Sequence, residues 1–128
     1  MEQNNYLSKV GVAAMDCVGN ATSICPLKCD DGSEITLYKA KSSTIITKGQ
    51  FQNQLVKNGP FPVRIKQYAD LENYTGGVYR PASTEVVGYL NLELIGYTDD
   101  AWILKGQFGE QWGEEGYLYL ALGECGID

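Results

Sequence analysis

The chain has 128 residues, a length that points to one domain around one core. It is 44% hydrophobic and 20% charged, which excludes intrinsic disorder as the default state. The net charge is −6 and there is no histidine, so the basic stripe of a nucleic-acid binder is missing, and Cys-His and Ser-His-Asp catalysis and every His-containing metal site are excluded within this sequence.

Residues 4–10 predict the end of a helix, with Tyr6, Leu7 and Val10 on its apolar side and Gly11 just past its C-terminus. Residues 16–34 predict a cysteine loop that closes on the turn Asp30-Asp31-Gly32-Ser33. Ile35, Leu37, Tyr38, Ile45 and Ile46 predict one or two short strands over 35–46. Thr47 and Gln50 have capping-box spacing, and Phe51, Leu55 and Val56 recur at helical spacing, which predicts a helix over 48–58. Asn58-Gly59-Pro60 should stop it. The remainder reads as strands. Phe61, Val63 and Ile65 alternate with Pro62, Arg64 and Lys66. Leu90, Leu92 and Leu94 alternate with Asn91 and Glu93. Ala101 to Leu104 make a short strand, and Leu118, Leu120 and Leu122 share a face. The expected class is α+β, mainly β: a small antiparallel sheet or barrel with one or two flanking helices.

No run approaches the ~18 consecutive apolar residues of a membrane helix. The opening MEQNNYLSKV does not read as a secretory leader, since no charged stretch precedes an apolar one. Four cysteines nonetheless suggest disulfides and an oxidising compartment. Asn20-Ala21-Thr22 and Asn73-Tyr74-Thr75 fit the acceptor pattern for N-glycosylation, a pattern short enough to arise by chance as well. A secreted style without a leader suggests a processed or partial chain.

Three stretches then become specific. NGPFPVRIKQYADLENYTGGVYRP and GYLNLELIGY resemble the strand-opening and V-G-(Y/W) segments of papain-family cysteine proteases. AWILKGQFGEQWGEEGYLYLALGECGID resembles that family's ending, with W-G-E-x-G-Y and C-G-I at its spacing. YLSKVGVAAMDC followed by CPLKCDDGS resembles the cathepsin B-like branch. The resemblance implies the barrel-like right-hand domain of the papain fold over residues 1–128, with the cysteine loop at 16–34 and the barrel half at 35–128. It corresponds to the second half of such an enzyme, without the half that carries the nucleophilic cysteine and the oxyanion glutamine.

The family's general-base histidine lies six residues before the glycine of V-G-(Y/W). Counting back from Gly96 gives Leu90. The asparagine that orients that histidine follows the lysine of K-N-S-W, and here Gly106 follows Lys105. Leucine takes no proton and glycine has no amide to orient one. The resemblance also implies the pair Cys17–Cys29. In the family, the cysteine at position 25 bonds the other half. Cys25 and Cys125 are thereby left to pair with each other or to bridge between chains.

Blander readings stand beside these. Leu90 is either core fill or the floor of a hydrophobic partner surface shared with Phe108 and Trp112. Trp102 and Trp112 read as packing rather than ligand stacking. Asp30-Asp31 and Asp99-Asp100 read as turns, because the ligand spacing of a calcium loop is missing. A zinc site would require all four cysteines. Glu110, Glu114 and Glu115 sit on one loop rather than across a cleft. No metal or cofactor is expected. The expected function is a catalytically inactive, structural or interaction domain, secreted or in the lumen of a secretory or lysosomal vesicle. It would bind a different protein or copies of itself. The alternative is one chain of a split cysteine protease, completed by a partner with the nucleophile half.

Overall fold

A computed structural model describes residues 2–19 and 24–127, so the sequon at Asn20 lies outside the described residues. The chain divides into two compact units, Met1–Ile45 and Ile46–Asp128. All five strands lie in the second unit.

In the first unit, helix α1 spans Glu2–Lys9. Its end is set where expected: the Val10 and Gly11 N–H groups both donate to the Tyr6 carbonyl, and Gly11 takes φ +96°. A Cβ there would stand 2.8 Å from the Tyr38 carbonyl oxygen, so glycine is required twice over. Cys17 and Cys29 are bonded. The loop is braced by the Asp30 N–H to the Cys17 carbonyl, and by the Gly19 N–H to the Asp30 carboxylate. Asp31 accepts from the Ser33 N–H and hydroxyl, closing the turn foreseen there. The strands expected over 35–46 do not form. Only an isolated bridge, Val12 to Tyr38, is present. β-branched side chains favour a pleated surface, but a strand exists only with a ladder partner, and of residues 35–45 Tyr38 alone is bridged among the described residues. Ile24, Leu27 and Ile45 stand exposed.

In the second unit, helix α2 spans Phe51–Asn58, three residues shorter at its start than expected. The capping box is not formed: Gln50 is the N-cap and no side chain caps it. Gly49 has φ +83°, which takes Thr47 and Lys48 out of helical register. The C-terminus matches expectation, with Gly59 at φ +85° donating to the Leu55 carbonyl. Phe51 is buried edge-to-face against Phe61 and Trp102, at 5.3 and 5.7 Å between ring centroids, which seats the helix on the core.

Five strands follow: β1 Phe61–Tyr68, β2 Val78–Tyr79, β3 Val86–Tyr97, β4 Ala101–Lys105 and β5 Tyr117–Ala121. A 3-10 turn, Ala69–Asn73, joins β1 to the segment that enters β2. The sheet order is β1-β3-β4-β5-β2. The β1/β3, β3/β4 and β4/β5 pairs are antiparallel, and β2/β5 is parallel. The sheet is thus mainly antiparallel, as expected, and barrel-like only loosely: β1 and β2 are its edges and do not close on each other. The period of two places Ile65, Leu94, Leu104, Leu118 and Leu120 in the core at 0–1% exposure. Edge β1 is guarded. The Lys66 N–H points outward and donates to the Cys125 carbonyl. Pro62 shares that parity and has no N–H to offer another strand.

Candidate functional site

Positions 90 and 106 lie at one end of the β3/β4 hairpin, because Glu93 pairs with Lys105 in antiparallel register. Leu90 is opposite Ile65 and alternates in phase with Leu92 and Leu94. It is 9% exposed and belongs to the core cluster. It therefore does not contribute to an exposed partner surface: the strand's own alternation turns it inward.

Gly106 ends β4. Its N–H donates to the Gly116 carbonyl at 2.9 Å. A Cβ at this position would stand 2.8 Å from that same oxygen and 3.0 Å from Cζ3 of Trp112. No side chain fits without moving backbone or indole. We expect Gly106→Asn to destabilise the sheet unit by about 1–3 kcal/mol, as overpacking does, read as a lower urea midpoint at unchanged slope.

The loop from Gly106 to Gly116 is tied to the segment before β2. The Gly113 N–H donates to the Tyr74 carbonyl. The Tyr74 hydroxyl donates to the Gly77 carbonyl at 2.6 Å and accepts from the Tyr119 N–H at 3.2 Å. The Gly77 N–H donates to Glu114 Oε1 at 2.7 Å. Burial holds the Tyr74 phenol above its ordinary value. Glu114 thus clamps the loop to the segment before β2.

On this tied loop, Phe108 and Trp112 pack at 5.0 Å between centroids, and Trp112 meets Tyr74 at 5.5 Å. Phe108 is 45% exposed. Together with Gln67, Leu71 and Glu72 the two rings wall an apolar hollow of about 230 Å³. Two of the three residues expected at a partner surface therefore do meet at the surface. Gln67 and Glu72 were not foreseen as walls. No local pattern marks them, because the 3-10 turn and the Phe108 loop are far apart in sequence.

Below the turn, the Asp70 carboxylate accepts from the Ala82 N–H at 2.9 Å and from the Tyr79 hydroxyl at 3.1 Å. The Ala82 bond first, and then the Tyr79 bond, hold its carboxyl below the ordinary value. Burial, and then Asp70, push the Tyr79 phenol up. A carboxyl with a depressed folded value stabilises the fold above its unfolded pKa, and that stability is lost as pH falls through the folded one. Asp70→Asn should therefore flatten the loss of stability below about pH 4, checked by urea unfolding across the acid range. Equal slopes in variant and parent would contradict this.

Cys25 and Cys125 are free thiols, one exposed and one buried. Their pairing with each other is not present. Cys125 is also closed to an interchain bridge as it stands, being 4% exposed in the core cluster. Burial, and then the charge of Glu124, push its thiol up to about 11. Since the thiolate is the nucleophile, iodoacetamide at neutral pH should alkylate Cys25 and spare Cys125. Peptide mapping reads this directly, and equal labelling would be the contrary result.

An open mainly antiparallel sheet, a flanking helix and an aromatic loop over one hairpin end define a papain-like half. The papain family cysteine protease profile matches residues 3–128, and the chain belongs to that family. Within it, the chain is 38% identical to Cathepsin B-like CP1 of Giardia intestinalis, over 97% of this chain and 46% of that protein. It is 28% identical to Cathepsin B-like cysteine proteinase 1 of Haemonchus contortus, over 88% of this chain and 37% of that protein. Among solved structures it is similar to procathepsin B S9 from Trypanosoma congolense, with a TM-score of 0.86 and 25% identity, over 97% of this chain and 48% of that one. The chain thus spans about half the length of the relatives it matches.

Proposed function

We propose that this cathepsin B-like domain has lost peptidase chemistry at its base and amide positions and serves as a structural or protein-binding domain. Gly106 carries the reading. The Gly116 oxygen and the Trp112 ring stand where a side chain would begin, so the place of the orienting amide is filled by other atoms. Leu90, at the place of the base, offers only an isobutyl group packed in the core.

Exposed apolar surface supports the binding role. Phe108 rims the hollow, and Met15, Ile24, Leu27 and Ile45 are 77–94% exposed in the first unit. A different protein or further copies of the chain would cover it, and unlike patches meeting head-to-tail would give rings or filaments. The Cys17–Cys29 bond fits an oxidising site, outside the cell or in a vesicle lumen.

The test is peptide turnover by the full-length protein that carries this chain, purified natively and supplied with dipeptidyl fluorogenic substrates under reducing conditions. No turnover above blank is expected. Turnover abolished by a thiol blocker would overturn the proposal. Turnover that tracks a co-purifying chain, labelled by a thiol-directed probe, would instead support the split-protease arrangement.

A further inference from the structure

We propose that Asn73 carries an N-linked glycan. Asn73 closes the 3-10 turn, and both it and Thr75 are exposed. Tyr74 between them is 7% exposed and extended, at φ −65° and ψ 126°. The phenol is buried while the residues on either side of it, Asn73 and Thr75, are both exposed. Tyr74 cannot easily turn over, because its N–H, carbonyl and hydroxyl are all held, by Leu71, Gly113, Gly77 and Tyr119. The acceptor residue and the sequon threonine are thus both exposed next to a pinned tyrosine.

This goes beyond loss of peptidase chemistry and does not depend on it. It needs only passage through a compartment that also permits the Cys17–Cys29 disulfide. The co-reactant is a lipid-pyrophosphate-linked oligosaccharide, and a lumenal oligosaccharyltransferase performs the step. Nδ2 of Asn73 forms the bond to the first sugar's anomeric carbon and gives up one proton. The bond from that carbon to the pyrophosphate breaks, and the lipid pyrophosphate leaves with the electron pair; nothing is oxidised or reduced. The sugar is then rooted one residue from Glu72, at the wall of the Phe108–Trp112 hollow. The face around Asn73 is closed to a flat protein contact, so any partner of the hollow must approach from the loop side.

The test uses the protein purified from its own cells, with glycopeptide mass mapping of the tryptic peptide 67–105, since Pro81 blocks cleavage after Arg80. The expected result is a glycan mass on that peptide. It should be lost in Thr75→Ala and kept in Thr75→Ser, two exposed changes that leave the Tyr74 ties intact. Enzymatic removal of the glycan in heavy-oxygen water should convert Asn73 to labelled aspartate. An unmodified peptide as the sole form in native material would overturn the proposal, as would a glycan that persists in Thr75→Ala.

Discussion

Leu118→Ala should lower the unfolding free energy of the sheet unit by about 3–5 kcal/mol, the range for deleting a fully buried leucine. Leu118 is 0% exposed and lies directly opposite Leu104, also 0%, in the β4/β5 ladder. Neighbouring strands hold both backbones, so the surrounding structure has little freedom to collapse into the gap. The cost is then lost transfer free energy plus the residual cavity. Leu27→Ala is the control. Leu27 is 94% exposed, and a change there should stay within about 0.5 kcal/mol. Urea unfolding of parent and both variants measures this. Equal midpoints for Leu118→Ala and the parent would contradict the assigned core.

Gly113→Ala should be nearly as damaging, at about 2–5 kcal/mol, from two causes that act together. Gly113 sits at φ +62°, a conformation that a Cβ penalises. The added carbon would also stand 2.6 Å from the Tyr117 carbonyl oxygen and 2.9 Å from the Tyr74 ring. The first obstacle is backbone in β5, and the second is a ring whose hydroxyl is held by two hydrogen bonds, so neither yields cheaply. Loosening this contact frees the whole Phe108–Trp112 loop from Tyr74. The variant should therefore also shift tryptophan fluorescence before global unfolding. A variant with parental midpoint and spectrum would show that the loop is not anchored as described.

β1, β3 and β5 were legible because each carries a period-two pattern against one buried face, whereas the two-residue β2 was not foreseen. Leu90, Leu92 and Leu94 are the clearest case, and the same pattern already implied that Leu90 faces inward. What was not legible depended on distant partners. Ile35 and Leu37 have strand chemistry but no ladder to join. Thr47 and Gln50 have capping spacing, yet the positive φ at Gly49 starts the helix later. Positions 90 and 106 were readable only through the resemblance, since a leucine and a glycine carry no chemical signal of their own. That Gly106 has no room for a side chain was invisible in sequence, because its neighbours Gly116 and Trp112 are brought there by the return of the loop. The Asp70 capping bonds to Ala82 and Tyr79 were hidden for the same reason.

The central claim is that no acid–base group serves a thiol at this site. Its most direct measurement is the pH dependence of alkylation for the fastest-reacting thiol of the full-length native protein. A cysteine paired with a base is a thiolate at acid pH, whereas an unassisted one ionises near about 8.5. The account predicts slow alkylation through the acid range, rising through that ordinary value. A thiol that reacts fast below about pH 6, well under that ordinary value, would contradict it.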